Sequence, residues 1–350
     1  MMVVGHHTMS YIGHEPRYWQ RASVANKFNG LQLGVEYFFV LSGVVMLMAH
    51  WGDIGEPQRL GSYLWKRFRR IYPIYWIVLT VVVLEYFLRP GLGQAYQRNG
   101  WVVLSGYLLV HIRSTNVNLP VAWTLFHEML FYALFALLLV KKRIGISVLA
   151  AWFLFSIGAC ILRLPWFLGE YLISPLHLLF GLGLMVGYLL RQGVSVELGP
   201  FRSSEAGIRV VLLGALTFFL AVFLAGVRDG AGNWVQLLAG CGSAVIILGG
   251  GRIEQTRGFH FPKWLKTLGD ASYAIYLVHY PFLMFITPRV YAFSMKTSAP
   301  LLLPVLTMVV SAVIAGCAVH VCIEKPLLVW LGRVATPNPS VRHGLLARVD

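Results

Sequence analysis

The chain has 350 residues, 57% of them hydrophobic and only 12% charged, with a formal net charge of +15. Soluble domains carry about 25% charged residues, so this composition excludes a soluble globular enzyme and indicates an integral membrane protein. The positive balance calls for no nucleic acid, because cytoplasmic loops beside a lipid bilayer collect Lys and Arg. The four cysteines, Cys160, Cys241, Cys317 and Cys322, fall in apolar runs and read as small apolar residues rather than disulfides or metal ligands.

In chain order, residues 1–9 read as the end of a helix whose beginning is missing. Apolar runs near 33–51, 71–88, 123–140, 144–162, 172–190, 208–226, 234–250, 270–288 and 301–323 each approach the length that crosses about 30 Å of hydrocarbon. The run 101–112 is too short to span upright and is expected to dip in or lie at the surface. With the basic cluster at 59–70 placed in the cytoplasm and 101–112 not crossing, 19 of the 29 Lys and Arg lie inside. If 101–112 crossed, most would lie outside, so the first layout is preferred. The expected fold is an all-α polytopic membrane helix bundle of about ten transmembrane helices, the first truncated, with both termini cytoplasmic. One membrane domain covers 1–335; the polar, Pro-punctuated tail 336–350 reads as unstructured.

Polar residues inside the spans carry the chemistry, since a carboxylate at mid-span costs roughly 2.5–3.5 kcal/mol on insertion scales. His6 and His7 close the first helix at its outer end; one could act as a general base, or both could be wetted by headgroups. Glu36 starts the second span, at a depth expected to match His7, where it could orient the base or pair with Arg17, Arg21 or Lys27. His127 and Glu128 enter the helix after 123 near the same level, which favours a polar cavity. Arg67 and Arg70 share a helix face, with Lys66 and Arg69 beside them. They suit a phosphate-bearing ligand or ordinary positive-inside anchoring. A helix restart is expected after Pro73. Trp123, Tyr132, Tyr273, Tyr276 and His279 are expected to line a substrate cavity, with His279 near mid-membrane. His177, His320, Glu85 and Glu324 receive no role. No metal is expected, because no histidine or carboxylate pair shows ligand spacing on one helix.

Four segments, GVEYFFVLSG, KRFRRIYPIYW, WTLFHEMLFY and SYAIYLVHYP, together resemble acyltransferase family 3, the multi-helix membrane acyltransferases. The likeness runs from Val3 to about Pro326 and is greatest to the branch that modifies sugars and exopolysaccharides. It implies transfer of an acyl group, usually acetyl, from acyl-CoA to a hydroxyl of a saccharide or lipid-linked glycan, in the bacterial inner membrane. The family's histidine maps to His7, or to His6 if the alignment slips by one. Its motif acid maps to Glu36, its Arg-x-x-Arg pair to Arg67 and Arg70, and its later carboxylate to Glu128. The family's basic residue ahead of that histidine would precede Met1, so the reading frame is expected to continue upstream.

The reading from another class is a transporter or flippase of lipid-linked glycans, for which the mark would be inverted repeats with paired broken helices. None is visible in the sequence. A further expectation concerns reach. With His7 near the outer side and the arginines inside, the donor's pantetheine arm must thread much of the bilayer.

Overall fold

The computed structural model describes residues 1–110, 117–162, 172, 174–193, 203–227, 232–257 and 262–334. The tail after Ala335 lies outside the described residues, as does the end of the 101–112 run. Every regular element described is helical: α1 (Met2–Gly13), α2 (Ala22–Asn26), α3 (Gly34–His50), α4 (Leu60–Leu88), α5 (Gly100–Leu108), α6 (Trp123–Val140), α7 (Lys142–Leu162), α8 (Pro175–Arg191), α9 (Ser203–Val227), α10 (Asn233–Arg257), α11 (Lys263–Asp270), α12 (Ser272–Thr297), α13 (Leu302–Val319) and α14 (Lys325–Val334). Seven helical stretches among them are long and apolar enough to cross a membrane. The chain is a polytopic all-α membrane protein. The expected ten crossings are not reached on that measure. Helix α1 has 12 residues, α8 has 17, and α12, with 26, carries His279, Arg289, Lys296 and two prolines.

Helix α4 runs unbroken for 29 residues with Pro73 inside it, so the expected restart does not occur. Proline's fixed φ is compatible with a helix; what it loses is one backbone bond and space at the carbonyl four residues back. Here Ile71, Ile74, Tyr75 and Val78 are all buried on either side of it, and their packing holds the helix together.

Helix α5 stops after nine residues. Among the described residues, backbone N–H groups beyond it reach Ser105 O and Gly106 O, and carbonyls left without a partner would be costly in lipid. Side chains of α4 supply further donors. Tyr75 Oη donates to Gly106 O at 2.9 Å, Trp76 Nε1 to Tyr107 O at 2.8 Å, and Tyr72 Oη to Leu108 O at 3.2 Å. Leu109 then turns the chain in the left-handed region at φ 51°.

Two glycines bring α3 and α8 into backbone contact. A Cβ on Gly183 would stand 2.1 Å from Val40 O, and one on Gly43 would stand 2.3 Å from Phe180 O. Small residues at such crossings let helices approach closely where lipid gives no hydrophobic drive for association. The main core gathers buried residues of α3, α4, α6 and α8. A second cluster joins α1, α12 and α13, and a third joins α9 and α10. On its outer face α9 exposes Leu212, Leu213, Leu216, Phe219 and Phe223, an apolar surface suited to lipid. A π-turn, His320–Glu324, links α13 to α14.

Candidate functional site

Helix α12 carries the spine of the site. Tyr273, Tyr276 and His279 recur every three residues and therefore share one face. Tyr273 Oη donates to Ile71 O of α4 at 3.0 Å, and Tyr276 Oη donates to Val121 O at 2.8 Å and lies 2.8 Å from Thr124 Oγ1. His279 Nδ1 stands 3.1 Å from Ile275 O. A carbonyl only accepts, so Nδ1 carries the proton and Nε2 keeps a lone pair. That Nε2 is buried and has no partner.

At the far end of this face stands His7, half-buried, its ring 5.3 Å from His279, 5.1 Å from Tyr280 and 5.2 Å from His6. Glu36 is buried, 3% exposed, and its Oε2 has no partner. Among the described residues no hydrogen bond joins it to His7. The chain after α2 descends antiparallel beside α1: Gly5 meets Leu31, and Gly34 meets Met2 and Val3. This register brings the start of α3 beside the start of α1.

Below, at the basic edge, Arg67 and Arg70 face the bundle. Arg67 Nη2 lies 3.2 Å from His50 Nε2, and His50 Nδ1 lies 2.8 Å from Asp53 Oδ2. The Arg67 guanidinium sits 5.5 Å from the ring centroid of Tyr132. The Tyr132 hydroxyl donates to Glu128 Oε1, which also accepts from Ser42 Oγ at 3.3 Å. Tyr63 Oη fixes the turn beneath by donating to Tyr132 O at 2.8 Å. Arg70 Nη1 donates to Glu324 Oε1 at 2.9 Å, Glu324 Oε2 lies 2.7 Å from His320 Nδ1, and the Arg70 guanidinium lies 5.6 Å from the Tyr273 centroid. Lys66 is exposed, and Arg69 is half-buried with Nη1 toward Gly332.

The structure thus joins Arg70, Tyr273, Tyr276, His279 and His7 along one line, and Arg67, Tyr132 and Glu128 along another. Tyr273 and His279 are six residues apart, about 9 Å along the axis. The arginine level and the histidine level are far closer than a threaded bilayer requires. His127 points elsewhere, as neighbouring residues on a helix must. Its Nδ1 lies 3.0 Å from His177 Nε2, while His177 Nδ1 accepts from Ser174 N at 3.0 Å. His177 is therefore the Nε2–H tautomer, donating to His127, and it stacks on Trp152 at 4.2 Å. Trp123 packs between Phe39 and His127.

Sequence reasoning missed His50, Asp53, Ser42, His320 and Glu324. His320 and Glu324 are four apart and His50 and Asp53 three apart, and each pair is in contact, although among the described residues no group of three or more such side chains gathers as metal ligands would. That spacing was the available signal; their arginine partners come from a distant helix.

The comparisons agree with this architecture. An acyltransferase domain, that of family 3, matches residues 1–321. The chain is 26% identical over 310 residues to the exopolysaccharide production protein ExoZ of Rhizobium meliloti, covering 84% of this chain and 89% of that protein. It is 25% identical to acyltransferase MdmB of Streptomyces mycarofaciens, covering 88% and 84% of the two chains. Peptidoglycan O-acetyltransferase OatA of Listeria monocytogenes is also 25% identical, over 73% of this chain but 45% of that longer protein. No solved structure matches the chain at the same stringency. With the family's domain matched over nearly the whole of the helical bundle, the chain belongs to acyltransferase family 3.

Proposed function

We propose that the protein is an O-acyltransferase that moves an acyl group, acetyl in the simplest case, from acyl-CoA to a hydroxyl of a saccharide or lipid-linked glycan. The observation that carries this reading is the α12 face, which runs about 9 Å in helix rise from Tyr273, beside Arg70, to His279, beside His7. An extended pantetheine arm covers such a distance. Arg67 and Arg70 bind the donor's phosphates, since guanidinium forks match phosphate oxygens. His7 takes the proton of the acceptor hydroxyl, whose oxygen attacks the thioester carbonyl. The C–S bond breaks, and the leaving thiolate takes up the proton that His7 holds. Glu36 and His279, each with a buried polar atom lacking a partner, supply polar contacts to the reacting groups. Glu128 is a second carboxylate at the same site, and Trp123, Tyr132, Tyr273 and Tyr276 shape its walls.

The names of two relatives, one acting in exopolysaccharide production and one on peptidoglycan, support a saccharide acceptor. The basic edge at 59–70 supports a cytoplasmic donor side, cytoplasmic termini and residence in the bacterial inner membrane. Membranes holding the protein should release thiol from acetyl-CoA faster when glycan acceptor is added. No release above membranes lacking the protein, across saccharide and lipid-linked acceptors, would overturn the proposal.

A further inference from the structure

The two arginines at the basic edge are held alike. Each guanidinium lies against the ring of a tyrosine, Tyr132 for Arg67 and Tyr273 for Arg70. Each gives one Nη to a deeply buried group, since His50 and Glu324 are each 1% exposed. Each of those groups is held by a second partner, Asp53 at 2.8 Å and His320 at 2.7 Å. The protons can be assigned. Arginine only donates, so His50 Nε2 accepts and its Nδ1–H donates to Asp53. Glu324 accepts twice, from Arg70 and from His320 Nδ1–H. Arg70 thus meets the carboxylate of Glu324 directly, and Arg67 is linked through an imidazole to that of Asp53, which also lies 3.9 Å from Arg59.

We infer that His50 and Glu324 are positioning residues that hold Arg67 and Arg70 as one seat for the phosphates of a CoA-type donor. This rests on the proposed donor and adds to it the groups that set the seat's geometry. One observation separates Arg67 from plain topological anchoring: an anchoring arginine is solvated, whereas Arg67 Nε is buried and unpartnered. Arg70 spends one donor on the buried Glu324, and its side chain, 41% exposed, leaves the rest of the fork available. The backing groups also come from places far apart in the chain, the end of α3 and the π-turn before α14. Such π-turns recur at functional sites, and this one places His320 and Glu324 together under α4.

The test is equilibrium binding of radiolabelled acetyl-CoA to the full chain in detergent, with acetyl-pantetheine, which lacks the nucleotide phosphates, as the competing probe. Arg67→Ala and Arg70→Ala should each weaken acetyl-CoA binding by about tenfold or more and leave acetyl-pantetheine unchanged. His50→Leu and Glu324→Gln should show the same selective loss, about threefold to tenfold. His50→Gln, which can still accept from Arg67 and donate to Asp53, should recover most of it. If the arginine variants lose affinity while His50→Leu and Glu324→Gln do not, the positioning role fails and the donor seat stands. Equal loss for both probes in those two variants makes them structural and also overturns it. If Arg67→Ala and Arg70→Ala keep the wild-type preference for acetyl-CoA, the donor reading falls, and this inference with it. Glu324→Asp and His50→Gln keep the comparison decisive should the other substitutions fail to accumulate.

Discussion

The ring of His7 stands 5.3 Å from that of His279, on a helix packed against α1, and among the described residues no hydrogen bond joins His7 to Glu36. An imidazole whose tautomer is fixed by a backbone carbonyl, not a carboxylate, is thus the neighbour of the candidate base. This changes which substitutions inform on the reaction.

Replacing His7 by Ala should abolish acyl transfer while membrane insertion is retained. His6→Ala should be milder, because the His6 ring touches His7 without reaching His279. Thiol release from acetyl-CoA measures both. Near-wild-type rates in the two single variants and in the double variant would remove the base assignment.

At the basic edge, Arg70→Lys should recover only part of what Arg70→Ala loses in apparent KM for acetyl-CoA. Lysine keeps the charge but cannot serve Glu324 and a phosphate with one planar fork. Lys66→Ala should leave that KM near wild type, because Lys66 is exposed outside the buttressed pair. Equal effects of Lys66→Ala and Arg70→Ala would make the cluster a uniform charged patch.

The α3–α8 crossing gives a stability prediction. A side chain on Gly183 must push the helices apart at Val40 O, and overpacking of this kind costs about 1–3 kcal/mol. Gly183→Val should lower the melting temperature of the detergent-solubilised protein. Gly52→Ala, where an added Cβ meets nothing within 4 Å, is the control.

The end of α5 takes donors from α4. Trp76→Phe keeps most of the ring and removes the bond to Tyr107 O, a net loss of about 0.5–1.5 kcal/mol and more if the carbonyl stays buried. Tyr75→Phe should act similarly at Gly106 O. Hydrogen exchange in residues 100–108 should quicken in both variants and quicken most in the double variant. Unchanged protection there would mean that packing alone holds α5.

Much of the fold was legible because lipid imposes a coarse code. Apolar runs of sufficient length marked α3, α6, α7, α9, α10 and α13, and the run at 101–112 was read as too short to span, in keeping with the nine residues of α5. The continuity of α4 through Pro73 was not legible, because proline's effect depends on the packing around it. The site was legible by residue type more than by pairing. Arg67, Arg70, Tyr273, Tyr276 and His279 stood out as polar groups in or beside spans. That Arg70 meets Glu324, 254 positions along the chain, follows from a helix arrangement that no local pattern encodes.

The α12 face has an uneven consequence for the two substrates. From His279 the helix runs six residues to Tyr273 at the basic edge and eighteen to Thr297 at its other end, about 9 Å against about 27 Å. On the proposed reading, the reacting groups meet nearer the basic end of this helix than its other end, so the donor's side is the short one.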